Sequence, residues 1–179
     1  MEIKRVFFVG IILVTLITFG CALIVPDVSK VPTVTYDQWA LVSQKGVFVS
    51  VKNIDPKIVP LGLTKDQVKT DVELQLRKAG VRVLTEEECR ATPGHPYLSV
   101  DVSISEIKIS NDRVGYAYYI GVQLTESVRV ARGYDVVGSI WSIGSVGAIG
   151  KDASPIRSII SGSVDKFIND YLAANPKGR

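Results

Sequence analysis

Residues 97–113 read Tyr97-Leu98-Ser99-Val100-Asp101-Val102-Ser103-Ile104-Ser105-Glu106-Ile107-Lys108-Ile109-Ser110-Asn111-Asp112-Arg113, and their alternation decides the fold. Leu98, Val100, Val102 and Ile104 point one way and Asp101, Ser103 and Ser105 the other, which is the period of a half-buried strand. The phase changes at Glu106, after which the apolar positions are Ile107 and Ile109, and this predicts a bulge or a strand end. Ser110-Asn111-Asp112-Arg113 supplies turn chemistry. Residues 116–130 then return as an extended partner with Tyr118, Ile120, Val122 and Leu124 alternating inward. The pair is a hairpin. Gly133-Tyr134 makes the next reversal, and residues 136–143, with Trp141, form a last strand.

Upstream, Val47-Phe48-Val49-Ser50-Val51-Lys52 alternates β-branched residues and reads as the first strand. A helix over about residues 65–79 follows. Thr64 and Gln67 form a capping box, and Leu63 can pack on Val68 as a hydrophobic staple. Val68, Val72, Leu76 and Ala79 share one face, and Gly80 ends the helix in a left-handed conformation. Val81-Arg82-Val83-Leu84 reads as the next strand, so a strand, helix, strand unit should cross over to a parallel neighbour. Thr85-Glu86-Glu87-Glu88 repeats the capping box ahead of a short helix, where its acidic groups complement the positive helix end rather than converge on a metal. Cys89 on that helix reads as a small buried thiol. Thr92-Pro93-Gly94-His95-Pro96 is a turn holding the sole histidine.

The final element opens with Ser154 as N-cap and Pro155 at the first helical position. Ile156, Ile159, Ile160, Val164, Phe167, Ile168, Tyr171 and Leu172 form an apolar stripe that stops at Asn175-Pro176. A membrane-surface helix would carry more Lys and Arg on its polar face than Arg157 and Lys166, so the stripe is expected on the sheet. The predicted fold is therefore α+β: a mixed, mainly antiparallel sheet of about five strands with both helices on one face, in the order β-α-β-β-β-β-α.

Before this domain lie Lys4 and Arg5, an uncharged run from Val6 to Gly20, and Cys21. Ile17-Thr18-Phe19-Gly20-Cys21 resembles the lipobox of bacterial lipoproteins, with Thr18 standing where Leu is usual. The resemblance implies cleavage before Cys21 and acylation of its thiol, which holds the protein to a membrane. An uncleaved anchor is the competing reading, because the uncharged run extends to Val25 and is about long enough to cross a bilayer. A plain cleaved signal is a third. In each case the positive end stays cytoplasmic and the rest is exported. Pro26 and Pro32 give the following stretch an extended, polyproline-like composition. The organisation expected is a signal sequence over 1–20, a lipidated Cys21 and tether over 21–45, one domain over 46–175 and a tail over 176–179. Trp39, at the domain edge, is expected to dock on the core.

Charge and composition exclude several functions. The net charge of +3 is spread over interspersed residues, without the basic stripe that nucleic acid requires. With Cys21 acylated, Cys89 has no disulfide partner, a Cys21–Cys89 bridge being the competing use. His95 lies in a loop and no Ser sits in a Gly-x-Ser-x-Gly elbow, so no hydrolytic triad is legible. One His and one spare Cys are a poor supply for zinc. The glycines of Gly144-Ser145-Val146-Gly147-Ala148-Ile149-Gly150-Lys151 fail the phosphate-loop spacing, because Ser145 occupies the first glycine position and Asp152 replaces the magnesium-binding hydroxyl. They read instead as a closely packed strand end. No catalytic residue, metal site or cofactor is predicted.

The element order behind a lipobox resembles that of periplasmic lipoproteins serving as accessory subunits of envelope machines, namely the lipopolysaccharide-assembly lipoproteins and the auxiliary lipoproteins of lipid-transport systems. The resemblance covers residues 46–175 in topology, and Cys21 is the one functional residue it carries over. It implies a non-enzymatic, membrane-anchored protein on the periplasmic face that binds an envelope protein partner. Ala22 after Cys21 resembles outer-membrane sorting in enterobacterial lipoproteins. A carrier or sensor holding a lipid or small amphiphile between sheet and helices is the alternative, and a continuous interior pocket would mark it. If both helices cover one face, the other presents Asp101, Ser103, Ala117, Tyr119, Gly121 and Gln123. Tyr119 and Gln123 are the candidate partner-binding residues on that face.

Overall fold

The computed structural model describes residues 36–54 and 63–176. Cys21, the signal sequence and the Pro-rich part of the tether lie outside the described residues, as does the end of the tail.

The elements run α1 (Tyr36–Trp39), β1 (Phe48–Ile54), α2 (Lys65–Lys78), α3 (Glu86–Ala91), β2 (Tyr97–Ile109), β3 (Asp112–Arg129), β4 (Asp135–Ile149) and α4 (Pro155–Ala174). The fold is α+β, as expected, around one mixed sheet ordered β1-β2-β3-β4. β1 pairs with β2 in parallel, and the β2–β3 and β3–β4 pairs are antiparallel. The sheet has four strands, not five. Residues 81–84 make a single parallel bridge, Val47 to Val83, outside the named strands. Two hydrogen bonds hold it: Val47 N donates to the Arg82 carbonyl and Leu84 N to the Val47 carbonyl. Thr85 then starts α3 with its own capping box, which stops the ladder after one bridge. The parallel neighbour of β1 is therefore β2, reached through α2 and α3 together.

The hairpin forms as the alternation dictates. Ser110 and Asn111 both adopt positive φ, 50° and 70°, the backbone of a two-residue turn whose twist matches its flanking strands. The change of phase near Glu106 appears as a register shift between Ile107 and Lys108. β4 continues to Ile149, so Gly144 and Gly147 lie inside the strand rather than at its end.

Val68, Val72 and Leu76 of α2 and Ile156, Ile160, Val164 and Phe167 of α4 join Val49, Val51, Val100, Ile120, Val122, Leu124 and Trp141 in one buried cluster. Both long helices thus cover the same face of the sheet. The capping boxes of α2 and α3 form as read, and Gly80 takes φ 81° after α2. α4 starts differently: Ser154 is already helical and caps nothing with its side chain. Asp152 serves instead, accepting from Ser154 N at 2.9 Å and Ser154 Oγ at 2.6 Å.

The folded part begins no later than Tyr36, earlier than Gly46. Leu41 is fully buried. Asn175 Nδ2 donates to the Leu41 carbonyl at 2.7 Å and Tyr171 Oη to the Gln44 carbonyl at 2.7 Å. The end of α4 thereby clamps the residues expected in the tether. Trp39 does not dock: it is 58% exposed, and Leu41 takes the core position.

Candidate functional site

The face away from the helices is built by parity. Cross-strand pairing sets side chains in rows: Ser99–Gln123–Ser142, Asp101–Gly121–Gly144, Ser103–Tyr119–Val146 and Ser105–Ala117–Ala148. Tyr119 and Gln123, the sequence-predicted pair, are thus placed on this open face, two rows apart. Both flank a shallow depression of about 150 Å³, which Asp101, Gly121, Ser142 and Gly144 also line.

Tyr119 does not stand upright in its row. Its ring leans over the neighbouring glycine row. A Cβ on Gly121 would lie 2.7 Å from Tyr119 Oη and 3.2 Å from Cε1, and one on Gly144 would lie 3.3 Å from Cε2. The two ring edges therefore sit over two paired glycines, and only residues without a side chain leave that room. Tyr119 is 47% exposed in this position. Among the described residues, the side chains of Asp101, Tyr119, Gln123 and Ser142 have no hydrogen-bond or ion-pair partner. Their donors and acceptors are free for a ligand. The backbone beneath them is spent in the β2–β3–β4 ladders.

Other chemistry-bearing residues are scattered. His95 is exposed at φ 48° in its turn, beside a second depression of about 280 Å³ that Arg90, Tyr97, Glu126 and Val137 also line. Cys89 is buried and free. Burial pushes its thiol above the ordinary value, which makes it an unreactive packing residue. Among the described residues no group of His, Cys, Asp and Glu side chains is arranged to hold a metal ion, and no helix is long and apolar enough to cross a membrane.

The space between sheet and helices is filled by Val72, Leu76, Leu98, Ile120, Leu124, Ile156 and Phe167, all essentially inaccessible. A concavity of about 630 Å³ lies between α2 and α4 and is flanked by Leu74, Lys78 and Ser158. Arg157 of α4 closes a two-point ion pair with Asp71 of α2 there, at 2.6 and 2.8 Å, and Gln75 donates to Asp165 at 2.5 Å.

What sequence reasoning missed is the pairing of Gly121 with Gly144. Tyr at one position and Gly two residues on, both on the open face, was the local trace of it.

No protein-family model matches the chain, and no curated protein does. Among solved structures the chain is similar to a minor lipoprotein from Acinetobacter baumannii, at 11% identity and a TM-score of 0.38, over 73% of this chain and 94% of that one. It is similar also to the rare lipoprotein B of Shewanella oneidensis, at 12% identity and a TM-score of 0.36, over 72% and 94%. The resemblance to these bacterial envelope lipoproteins is weak and brings no residue role with it.

Proposed function

We propose that this protein is a non-catalytic lipoprotein of the bacterial envelope, anchored through acyl chains on Cys21 at the periplasmic face of a membrane, the outer one by the Ala22 argument. It acts as an accessory subunit that recognises another envelope component on the open face of its sheet. The observation that carries this reading is the contrast between the two faces. One is covered by α2 and α4, whose apolar stripes join the buried cluster on the sheet. The other is covered by no helix among the described residues and holds an exposed Tyr119 among polar groups with unspent hydrogen-bonding capacity. An amphiphile carrier would need a continuous apolar interior, and the buried side chains occupy that space.

The test is co-purification from intact, crosslinked cells with Tyr119→Ala and Gln123→Glu combined. The reading predicts an unchanged melt and loss of the component captured by wild type. Capture at wild-type yield by the folded double variant would show that recognition lies elsewhere.

A further inference from the structure

The Tyr119 depression has a chemistry more specific than a general contact face. Resting on the reading that the open face is the recognition face, we propose that it is a subsite for one ring of an uncharged saccharide, stacked on Tyr119 and held at its rim by Asp101, Gln123 and Ser142. A pyranose presents a face of C–H groups and a rim of hydroxyls that both donate and accept. Tyr119 is 47% exposed, and the face of its ring carries the negative side of the quadrupole, which attracts the positive C–H face. Asp101 accepts from hydroxyls, Gln123 both donates and accepts, and Ser142 does either. These are the few convergent polar groups that orient a ligand in a shallow site.

The other occupants fit less well. An extended peptide would bind through backbone hydrogen bonds, and the floor here is mid-sheet, its backbone already paired. An acyl chain would leave the Asp101 carboxylate and the Gln123 amide desolvated and unpaired, which is costly. A phosphorylated or carboxylated ligand would meet Asp101 with no Lys or Arg among the lining residues to balance it. The glycine pair is part of the device: it leaves the room over Gly121 and Gly144 into which the ring leans.

The experiment is calorimetry on the full-length chain in detergent, with chitotetraose as the neutral probe and glucose 6-phosphate as the anionic one. Chitotetraose should bind with a Kd on the order of 1 mM, and Tyr119→Ala should weaken it about tenfold, the size of a lost stacking contact. Tyr119→Phe keeps the ring and should stay within about threefold. Gly121→Ala keeps Tyr119 but forces its ring off the sheet, and should match Tyr119→Ala while the melt shows a folded protein. Glucose 6-phosphate should bind more weakly than chitotetraose. No heat with chitotetraose up to about 10 mM, equal binding by folded Tyr119→Ala, or preference for the phosphorylated sugar would each overturn the proposal. If open-face crosslinks capture a protein in cells and the sugar does not bind, the saccharide proposal falls and the recognition face stands. If neither is seen, both fall.

Discussion

The indole Nε1 of Trp141 donates to Asp170 Oδ2 across 3.0 Å in a buried position, tying β4 to the last turns of α4. Gln38 Nε2 reaches Oδ1 of the same carboxylate at 3.1 Å, and Lys166 pairs with it from one helical turn before. Burial alone would raise the Asp170 carboxyl, but hydrogen bonds from Lys166, Gln38 and Trp141, with the Lys166 charge, outweigh it and hold it below the ordinary value. A buried charge is tolerated because each partner is present.

Asp170→Ala should therefore destabilise by about 2–4 kcal/mol, since it orphans the indole N–H and removes the carboxylate that links three elements. A carboxyl with a depressed folded value contributes stability that is complete above its ordinary value of 3.8 and is lost as pH falls through the lower one. Denaturant melts of wild type should accordingly weaken below about pH 4, and Asp170→Asn should lack that part of the loss. An unchanged pH dependence in Asp170→Asn would assign the acid sensitivity to other carboxylates.

Phe167 is fully buried and meets Trp141 edge to face, with ring centroids 5.1 Å apart. Phe167→Ala should cost about 3–5 kcal/mol, the range for truncating a buried aromatic. A thermal midpoint lowered by only about a degree would contradict the packing of α4 on the sheet.

Two glycines of β3 should respond unequally to a methyl group. A Cβ on Gly115 would lie 2.3 Å from the Ile149 carbonyl oxygen, which is backbone and cannot move aside. On Gly121 the obstacle is the far end of Tyr119, which can swing into solvent. Gly115→Ala should lose about 2–3 kcal/mol by overpacking and Gly121→Ala less than about 1 kcal/mol. Equal losses in chemical denaturation would mean that the Tyr119 ring is fixed by contacts other than the glycine row.

Acylation of Cys21 is directly checkable. Labelled fatty acid should appear on wild type and not on Cys21→Ser, and the variant should leave the membrane fraction. Retention of Cys21→Ser in membranes would favour an uncleaved anchor.

Much of this architecture was legible because its signals are local. The capping boxes at Thr64 and Thr85, the turn at Ser110-Asn111 and the stripe from Ile156 to Leu172 each depend on residues a few positions apart. The errors share a different cause. Val81-Arg82-Val83-Leu84 has a strand's composition, but α3 begins too soon for a ladder to grow. Trp39 has the larger side chain, yet the clamp from Tyr171 and Asn175 selects the chain around Leu41 for the core. At the candidate site, alternation alone put Tyr119 and Gln123 on the open face. The glycine shelf was not legible, since Gly121 meets Gly144 only through a β3–β4 register that shifts between Leu124 and Thr125.

The central claim is that recognition occurs on the open face and not on the helical one. A photoreactive residue placed at Ser142, beside the Tyr119 depression, can be compared in living cells with one at Leu74, which is 48% exposed on α2. The account predicts a discrete crosslinked product from position 142 that disappears when Tyr119→Ala and Gln123→Glu are added, and none from position 74. A product from position 74 alone, or one from position 142 that survives both substitutions in the folded protein, would contradict it.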